Sequence, residues 1–536
     1  MINLIWQKLV KKLSNAIGKK SAEPVKLSNS KEIKKLNYST DLNENLRNFK
    51  QIFKDCSDIK FREFEIGGEN LAKAAIIYVD GLIDSRTIDD QVLKNLMINI
   101  NLKSAHFNIK KEVKNAVLSV TELNEEQNIE KIVDEILDGY TALFIDRADA
   151  ALLIKLIGIE KRSISEPKTE VSIRGPFDHF IEDINTNISL IRRRIKSPQL
   201  KMKSMKLGNY TKTDIAISYI EGLVTEDLIN EVEKRIAKIK ADSILYAETI
   251  EEYLEDNRYS PFPQLDRTER PDKAVANLLE GRIVIVVDNT SEVIILPVIF
   301  AQYLQSVDDY TERPLAGSFI RGFRLVSINL ALLLPSLYVA VITYHPEMLP
   351  TPLLLSIAGA REAVPFPVFV EALLMELTFE ILRESGVRLP RQIGQAVSIV
   401  GALVIGQAAV QAAIVSPQMV IIVALTGIAS FTIPSYSLSL AIRILRIPLI
   451  FLAGSFGLFG VLIGMLLILV HLSSLRSYGV PYMSPLAPFN LRDMKDVVVR
   501  APWWAMVNRP RFIGFKNPQR VKTDQLDKTG KNKNKG

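Results

Sequence analysis

Three carboxylates stand where carboxylates are costly. The stretch 363–386 is largely apolar yet holds Glu371, Glu376 and Glu380, and Pro365 and Pro367 precede them. A lone carboxylate in hydrocarbon costs a few kcal/mol even on lenient scales. On a helix Glu376 and Glu380 share a face, with Glu371 nearly opposite. Two chemistries fit: oxygen ligands at the mouth of a cation path, or buried salt bridges, with Arg383 the nearest cation in sequence. A second constellation follows in IGQAVSIVGALVIGQAAVQAAIV (393–415). Val400, Val404, Gln407 and Gln411 recur at i, i+4, i+7 and i+11, one face of a helix. Around an oligomer axis that stripe makes a polar ring and an apolar constriction. Within one chain it is a packing face with Gln hydrogen-bonded across helices. Gly454, Gly457, Gly460 and Gly464 form a third set, whose small side chains suit close helix packing.

Catalytic chemistry has little to work with. The chain holds four His and one Cys, Cys56. It has no Gly-rich phosphate loop, zinc spacing or metal-binding His pair, so catalytic residues, metal and cofactor are all expected to be absent.

These residues need membrane-length helices to hold them. Runs of about twenty apolar residues match a hydrocarbon core of about 30 Å. They place spans at 323–344, 393–415, 417–442 and 447–472, with 363–386 embedded or interfacial. Pro335 and Pro434 fall within two of them. Arg313, Arg321 and Arg324 suit an interfacial lead-in on the cytoplasmic side. Residues 491–536 carry 12 Lys or Arg against 4 Asp or Glu within a net charge of +7, which marks a basic cytoplasmic tail rather than a nucleic-acid surface. At the other end, residues 1–20 place apolar side chains on one helix face among lysines. That face suits a membrane surface or a packed partner equally.

The soluble half reads as an α/β unit built twice. LAKAAIIYVDGL (71–82) resembles KTDIAISYIEGL (212–223), and GYTALFIDRADAALLI (139–154) resembles GRIVIVVDNTSEVIIL (281–296). The spacing from Gly81 to Gly139 nearly equals that from Gly222 to Gly281, as duplication requires. The acid–Gly pairs Asp80–Gly81 and Glu221–Gly222 end strands, either as turn chemistry or as a ligand site at strand ends. The Pro-rich stretch 255–273 is a loop inside the second unit. The chain thus divides into an extension (1–60), α/β subdomains (61–200 and 201–305), an all-α polytopic membrane domain (306–490) and the tail (491–536).

At ERPDKAVANLLEGRIVIVVD (269–288), the stretch from DDYTERPLAGSFIRGFR to ILRESGVRLP (308–390), IGQAVSIVGALVIGQAAVQAAIVSP (393–417), SPLAPFN (484–490) and APWW (501–504), the chain resembles the A subunit of the GerA family of spore germinant receptors. The pattern is clearest over 190–510. It departs at Asp288–Asn289–Thr290–Ser291, where the family has a Gly–Thr–Pro type of turn. The resemblance implies a multi-pass protein of the spore's inner membrane that is not an enzyme and whose soluble half is cytoplasmic. It further implies a transporter-like B subunit and a lipoprotein C subunit as partners, homo-oligomerisation, and a nutrient-gated path for monovalent cations. Two other readings stand beside it: a signalling scaffold that does not conduct, and a secondary transporter broken at Pro365–Pro367, which the lack of an inverted repeat disfavours.

Overall fold

In the computed structural model, residues 33, 36–67, 72–83, 87–99, 123–156, 170, 174–388, 404–491, 493–513 and 516–520 are described. The surface helix expected at 1–20, the last residues of the tail and Val400 lie outside them. The described chain forms an α/β unit and a helical unit.

The α/β unit holds two copies of one arrangement. The first runs α1 (Leu42–Ile52), β1 (Ile59–Ile66), β2 (Ala72–Val79), β3 (Leu123–Glu126), α2 (Ile129–Leu137), β4 (Tyr140–Ile145) and β5 (Ala151–Lys155). The second runs α3 (Ile184–Arg194), β6 (Leu200–Leu207), β7 (Thr213–Ile220), α4 (Glu226–Ala237), α5 (Ala247–Leu254), β8 (Asp266–Thr268), α6 (Pro271–Glu280), β9 (Ile283–Val287) and β10 (Val293–Leu296). The sheet orders are β1-β2-β4-β5-β3 and β6-β7-β9-β10-β8, equivalent strand for strand. Every pairing is antiparallel.

Duplication reaches the side chains. Asp41 caps α1 and Asp183 caps α3. Asn45 closes a ring with the backbone of Ser39, and Asn187 closes the same ring with Ile181. At the tight β4–β5 and β9–β10 turns, Arg147 and Asn289 both adopt φ 62°. Asn is among the few non-glycine residues that tolerate this region readily. The departure from Gly–Thr–Pro therefore keeps a left-handed turn.

Each sheet is packed by the helix that precedes its first strand. Leu42, Leu46 and Phe49 of α1 enter the first core, and Ile184, Ile188 and Ile191 of α3 enter the second. The first subdomain thus begins near 42 rather than 61, and the second near 180 rather than 201. Strand patterning marks sheets but leaves a leading helix unassigned.

The helical unit comprises α7 (Pro314–Tyr344), α8 (Thr351–Arg361), α9 (Val368–Arg388), a segment at 404–411, α10 (Pro417–Phe431) and α11 (Tyr436–Ser474). Among the described residues, α7 and α11 are long and apolar enough to cross a membrane, and α10 is a shorter apolar helix. The expected spans 417–442 and 447–472 are redistributed. Pro434 lies in the break between α10 and α11, so it separates helices rather than kinking one. The 39-residue α11 reverses at Gly457, whose φ 60°, ψ −142° is non-helical. Only glycine adopts that conformation readily. In one straight helix Leu449 and Gly464 would stand about 22 Å apart, yet a Cβ on Gly464 would lie 2.3 Å from Leu449. Residues 436–456 and 458–474 are thus the limbs of a hairpin.

Candidate functional site: an ionic ladder in the helical unit

Helix α9 packs within the helical unit, and Glu371, Glu376 and Glu380 each meet an arginine from another helix, while Glu384 pairs with Arg388 of its own helix. Glu371, fully buried, accepts through Oε1 from Arg361 Nη2 at 2.9 Å and Nε at 3.2 Å. Its Oε2 accepts from Ser416 N at 2.9 Å and Oγ at 2.8 Å. One carboxylate therefore ties the end of α8 to the start of α10. Glu376 accepts from Arg446 Nη1 at 2.6 Å, and Arg446 Nε donates to Ala331 O of α7 at 2.7 Å. Glu380 accepts from Arg443 Nη1 at 2.7 Å. Glu376 and Glu380 lie four apart on α9, Arg443 and Arg446 three apart on α11, so the last two rungs are helix-face neighbours on both sides.

The ladder is charge-balanced but not saturated. Glu376 Oε1, Arg446 Nη2, Glu380 Oε1 and Arg443 Nε have no hydrogen-bond partner among the described residues. Breaking a buried pair by removing one partner costs about 3–5 kcal/mol, so the ladder is a strong constraint on how α7, α9 and α11 pack. Arg383, the partner read from sequence proximity, makes no rung: its guanidinium lies 4.6 Å from the Phe431 ring centroid and 3.4 Å from Ser430 Oγ. Arg443 and Arg446 were missed because hydropathy ends one span at 442 and starts the next at 447. Two cations three residues apart inside an apolar run are the signal that could have found them.

The stripe residues lie elsewhere. Val404, Gln407 and Gln411 fall in the segment 404–411 and are exposed, Val404 by 53%. Gly406 is the buried residue of its first turn, beside Val420. Ala413, at φ 55°, stands just beyond the helix end.

The glycine set packs closely, as small residues in helices do, but across two antiparallel limbs instead of along one face. A Cβ on Gly454 would lie 2.6 Å from Phe369 of α9, one on Gly457 3.0 Å from Tyr344, and one on Gly460 2.1 Å from the Leu452 carbonyl.

Arg321 and Arg324, read as interfacial anchors, turn inward. Arg321 pairs with Asp309 at 2.9 Å and Asp496 at 2.7 Å, and Arg324 shares Asp309 at 2.8 Å. Arg500 donates to the carbonyls of Glu312 and Tyr310.

In the α/β unit the acid–Gly pairs are turns. Gly81 and Gly222 have φ 78° and 83°. Asp80 pairs with Lys60 at 3.7 Å, and Glu221 with Lys201 at 3.6 Å. The crevice at strand ends that a parallel sheet provides does not arise in antiparallel sheets. No group of three or more potential metal ligands occurs among the described residues.

The sequence profile described as Bacillus/Clostridium GerA spore germination protein matches residues 47–512. The chain is 47% identical over 482 residues to the uncharacterized membrane protein YfkQ of Bacillus subtilis (strain 168), covering 90% of this chain and 93% of that one. It is 46% identical over 487 residues to spore germination protein KA of the same organism, covering 91% and 89%. The crystal structure of the N-terminal domain of the A subunit of the Bacillus megaterium spore germinant receptor GerK3 is 33% identical, with a TM-score of 0.40, covering 49% of this chain and 98% of that one.

Proposed function

The chain belongs to the GerA family of Bacillus/Clostridium spore germination proteins, and from that premise we propose that it is the A subunit of a nutrient germinant receptor in the spore's inner membrane. Copies of it associate about an axis to form a nutrient-gated path for monovalent cations, alongside a transporter-like B subunit and a lipoprotein C subunit. Its soluble half lies in the cytoplasm. The observation that carries this reading is the segment 404–411. In a single chain this apolar helix exposes Val404, Gln407 and Gln411 together. Amides have no partners in lipid, so the segment calls for a neighbouring copy or a water-filled axis. Both are supplied when Val404 narrows a pore and the two glutamines line it.

A second reading has its own support. Each ladder carboxylate is held by an arginine, which leaves none of the three unpaired to receive an ion. That favours a rigid, non-conducting scaffold that relays the nutrient signal. Val404→Ser separates the two. In spores whose sole receptor contains this subunit, potassium release before any nutrient is expected to rise at least tenfold over the native chain, with receptor assembly unchanged. A variant that assembles, stays silent and still germinates with nutrient would remove Val404 from the gate.

A further inference from the structure

The stretch between α5 and β8 was legible as a Pro-rich loop, and loops of this kind ordinarily run over the surface in water. Part of this one does not. Asp256–Gln264 belongs to the helical unit, while the residues on either side, Glu255 and Leu265, belong to the α/β unit. The chain leaves one unit, joins the other and returns within a single short loop.

The loop is anchored along its length to the end of the α11 hairpin and the residues after it. Phe262 is buried in a cluster with Leu438, Ile442, Leu472 and Leu475. Ser260 Oγ lies 2.9 Å from His471 Nε2. Two buried tyrosines donate to one carbonyl, Tyr482 OH to Pro263 O at 2.7 Å and Tyr303 OH at 3.1 Å. Ser477 Oγ donates to Gln264 O at 2.9 Å, and the Asp256 carboxylate accepts from Tyr478 N at 2.8 Å. The loop's neck is closed by a reciprocal pair: Asn257 N to Gln264 Oε1 at 2.9 Å, and Gln264 Nε2 to Asn257 O at 2.6 Å.

Both ends are equally fixed on the other side. Arg235 of α4 donates to Leu254 O at 2.9 Å. Beyond the loop, Asp266 pairs with Lys273 of α6 at 3.1 Å and its strand joins β10. Neither end carries slack.

We infer that Asp256–Gln264 is a coupling strap, through which a displacement of α5 or β8 in the second α/β subdomain is transmitted to the second limb of the α11 hairpin at His471–Leu475. The argument is mechanical. A taut, covalently continuous segment with buried anchors at both ends transmits movement, whereas a solvated loop of the same length absorbs it. The strap supplies the device that links a signal in the soluble half to the helices, and in that respect it rests on the receptor reading above.

Inserting two glycines between Glu255 and Asp256 and two more between Gln264 and Leu265 tests it, because the slack then falls at both junctions between the units while every anchor keeps its residue. The readouts are subunit abundance in the spore membrane and nutrient-triggered potassium release, each measured with and without Val404→Ser. With a strap, the insertion variant accumulates normally and its nutrient-triggered release slows at least fivefold, while Val404→Ser still leaks in that background. A normal nutrient response in the insertion variant overturns the strap, whatever Val404→Ser does. Failure of Val404→Ser to leak, with the insertion still blocking the response, overturns the pore and leaves the strap standing. Should the insertion lower abundance, Ser260→Ala replaces it. That change removes one hydroxyl and the bond to His471, and a response within twofold of native in that variant overturns the strap.

Discussion

At the scale of single residues, buried charge is where this protein concentrates its constraints. The rungs Glu371–Arg361, Glu376–Arg446 and Glu380–Arg443 satisfy charges that a hydropathy profile counts only as interruptions. The α/β unit contains a different case. Arg267 is shared among Glu248, Glu251 and Glu292 at 3.0, 3.3 and 3.5 Å. Burial pushes the Glu251 carboxyl up to about 7; Arg267 opposes the rise, and Glu255, Glu248 and Glu292 add to it. The folded state therefore holds a proton that the unfolded chain releases near pH 4.5. Where the native state binds more protons, stability falls as pH rises. The contribution is fully present below about pH 4.5 and is lost as pH climbs through about 7. Glu251→Gln is expected to raise the stability of this subdomain at pH 8 by about 1–3 kcal/mol, with little effect at pH 4. Hydrogen exchange of the α5 amides in the full chain at both values checks this, and equal protection in mutant and native at pH 8 would sink it.

At the scale of elements, the α11 hairpin shows what periodicity cannot supply. Hydropathy breaks the chain at Arg443 and Arg446, which depress it, and reads 447–472 as one continuous span. The reversal comes instead at Gly457, where the conformation excludes other residues and Tyr344 closes over the turn. Gly457→Ala is expected to destabilise the helical unit by about 1–3 kcal/mol, because the backbone strain adds to a Cβ placed 3.0 Å from Tyr344. Gly322→Ala, with nothing within 4 Å of its added Cβ, is the matched control. Thermal unfolding of the detergent-solubilised chain should show the first lowered and the second unchanged or slightly raised. The turns of the α/β unit were easier to read. Acid–Gly after a strand names a chain reversal, and the structure gives Gly81 and Gly222 nearly equal φ angles. Their carboxylates pair with lysines at the equivalent second positions of β1 and β6, Lys60 and Lys201, whereas sequence alone left the pairs open between a turn and a ligand site.

At the scale of the whole chain, duplication produced two similar sheets, and a set of asymmetric contacts joins them. Arg192 of α3, fully buried, donates from Nε and Nη2 to Asp58 at 2.6 and 3.0 Å, and further to Leu200 O and Ser197 O. Beside it the backbone of Asp55 and Ser57 pairs with Met202 on the outer edge of β6. The first subdomain thereby covers a strand edge that would otherwise offer unpaired groups. Arg192→Leu leaves Asp58 buried without its partner and should cost about 3–5 kcal/mol. Adding Asp58→Leu should restore most of the loss, since an apolar pair of similar volume carries no desolvation penalty. Thermal unfolding of the two variants distinguishes a charge effect from simple loss of packing; a double variant as unstable as the single one would reject the ion-pair account.

The sequence by itself determined the classes of structure and their order. Apolar length specified membrane-scale helices, alternation and turn residues specified strands, and matched motifs at matched spacing specified duplication. These are local properties, encoded in periods of two or three to four residues and in the φ preferences of Gly and Asn. The tertiary structure decided which charge neutralises which, where α11 turns back, that the sheets are antiparallel, and that Asp256–Gln264 belongs with the helices. Each of these depends on residues distant in the chain coming together. The sequence separation of 70 between Glu376 and Arg446 carries no periodic trace of that pairing, because a buried ion pair is specified by desolvation and geometry in three dimensions.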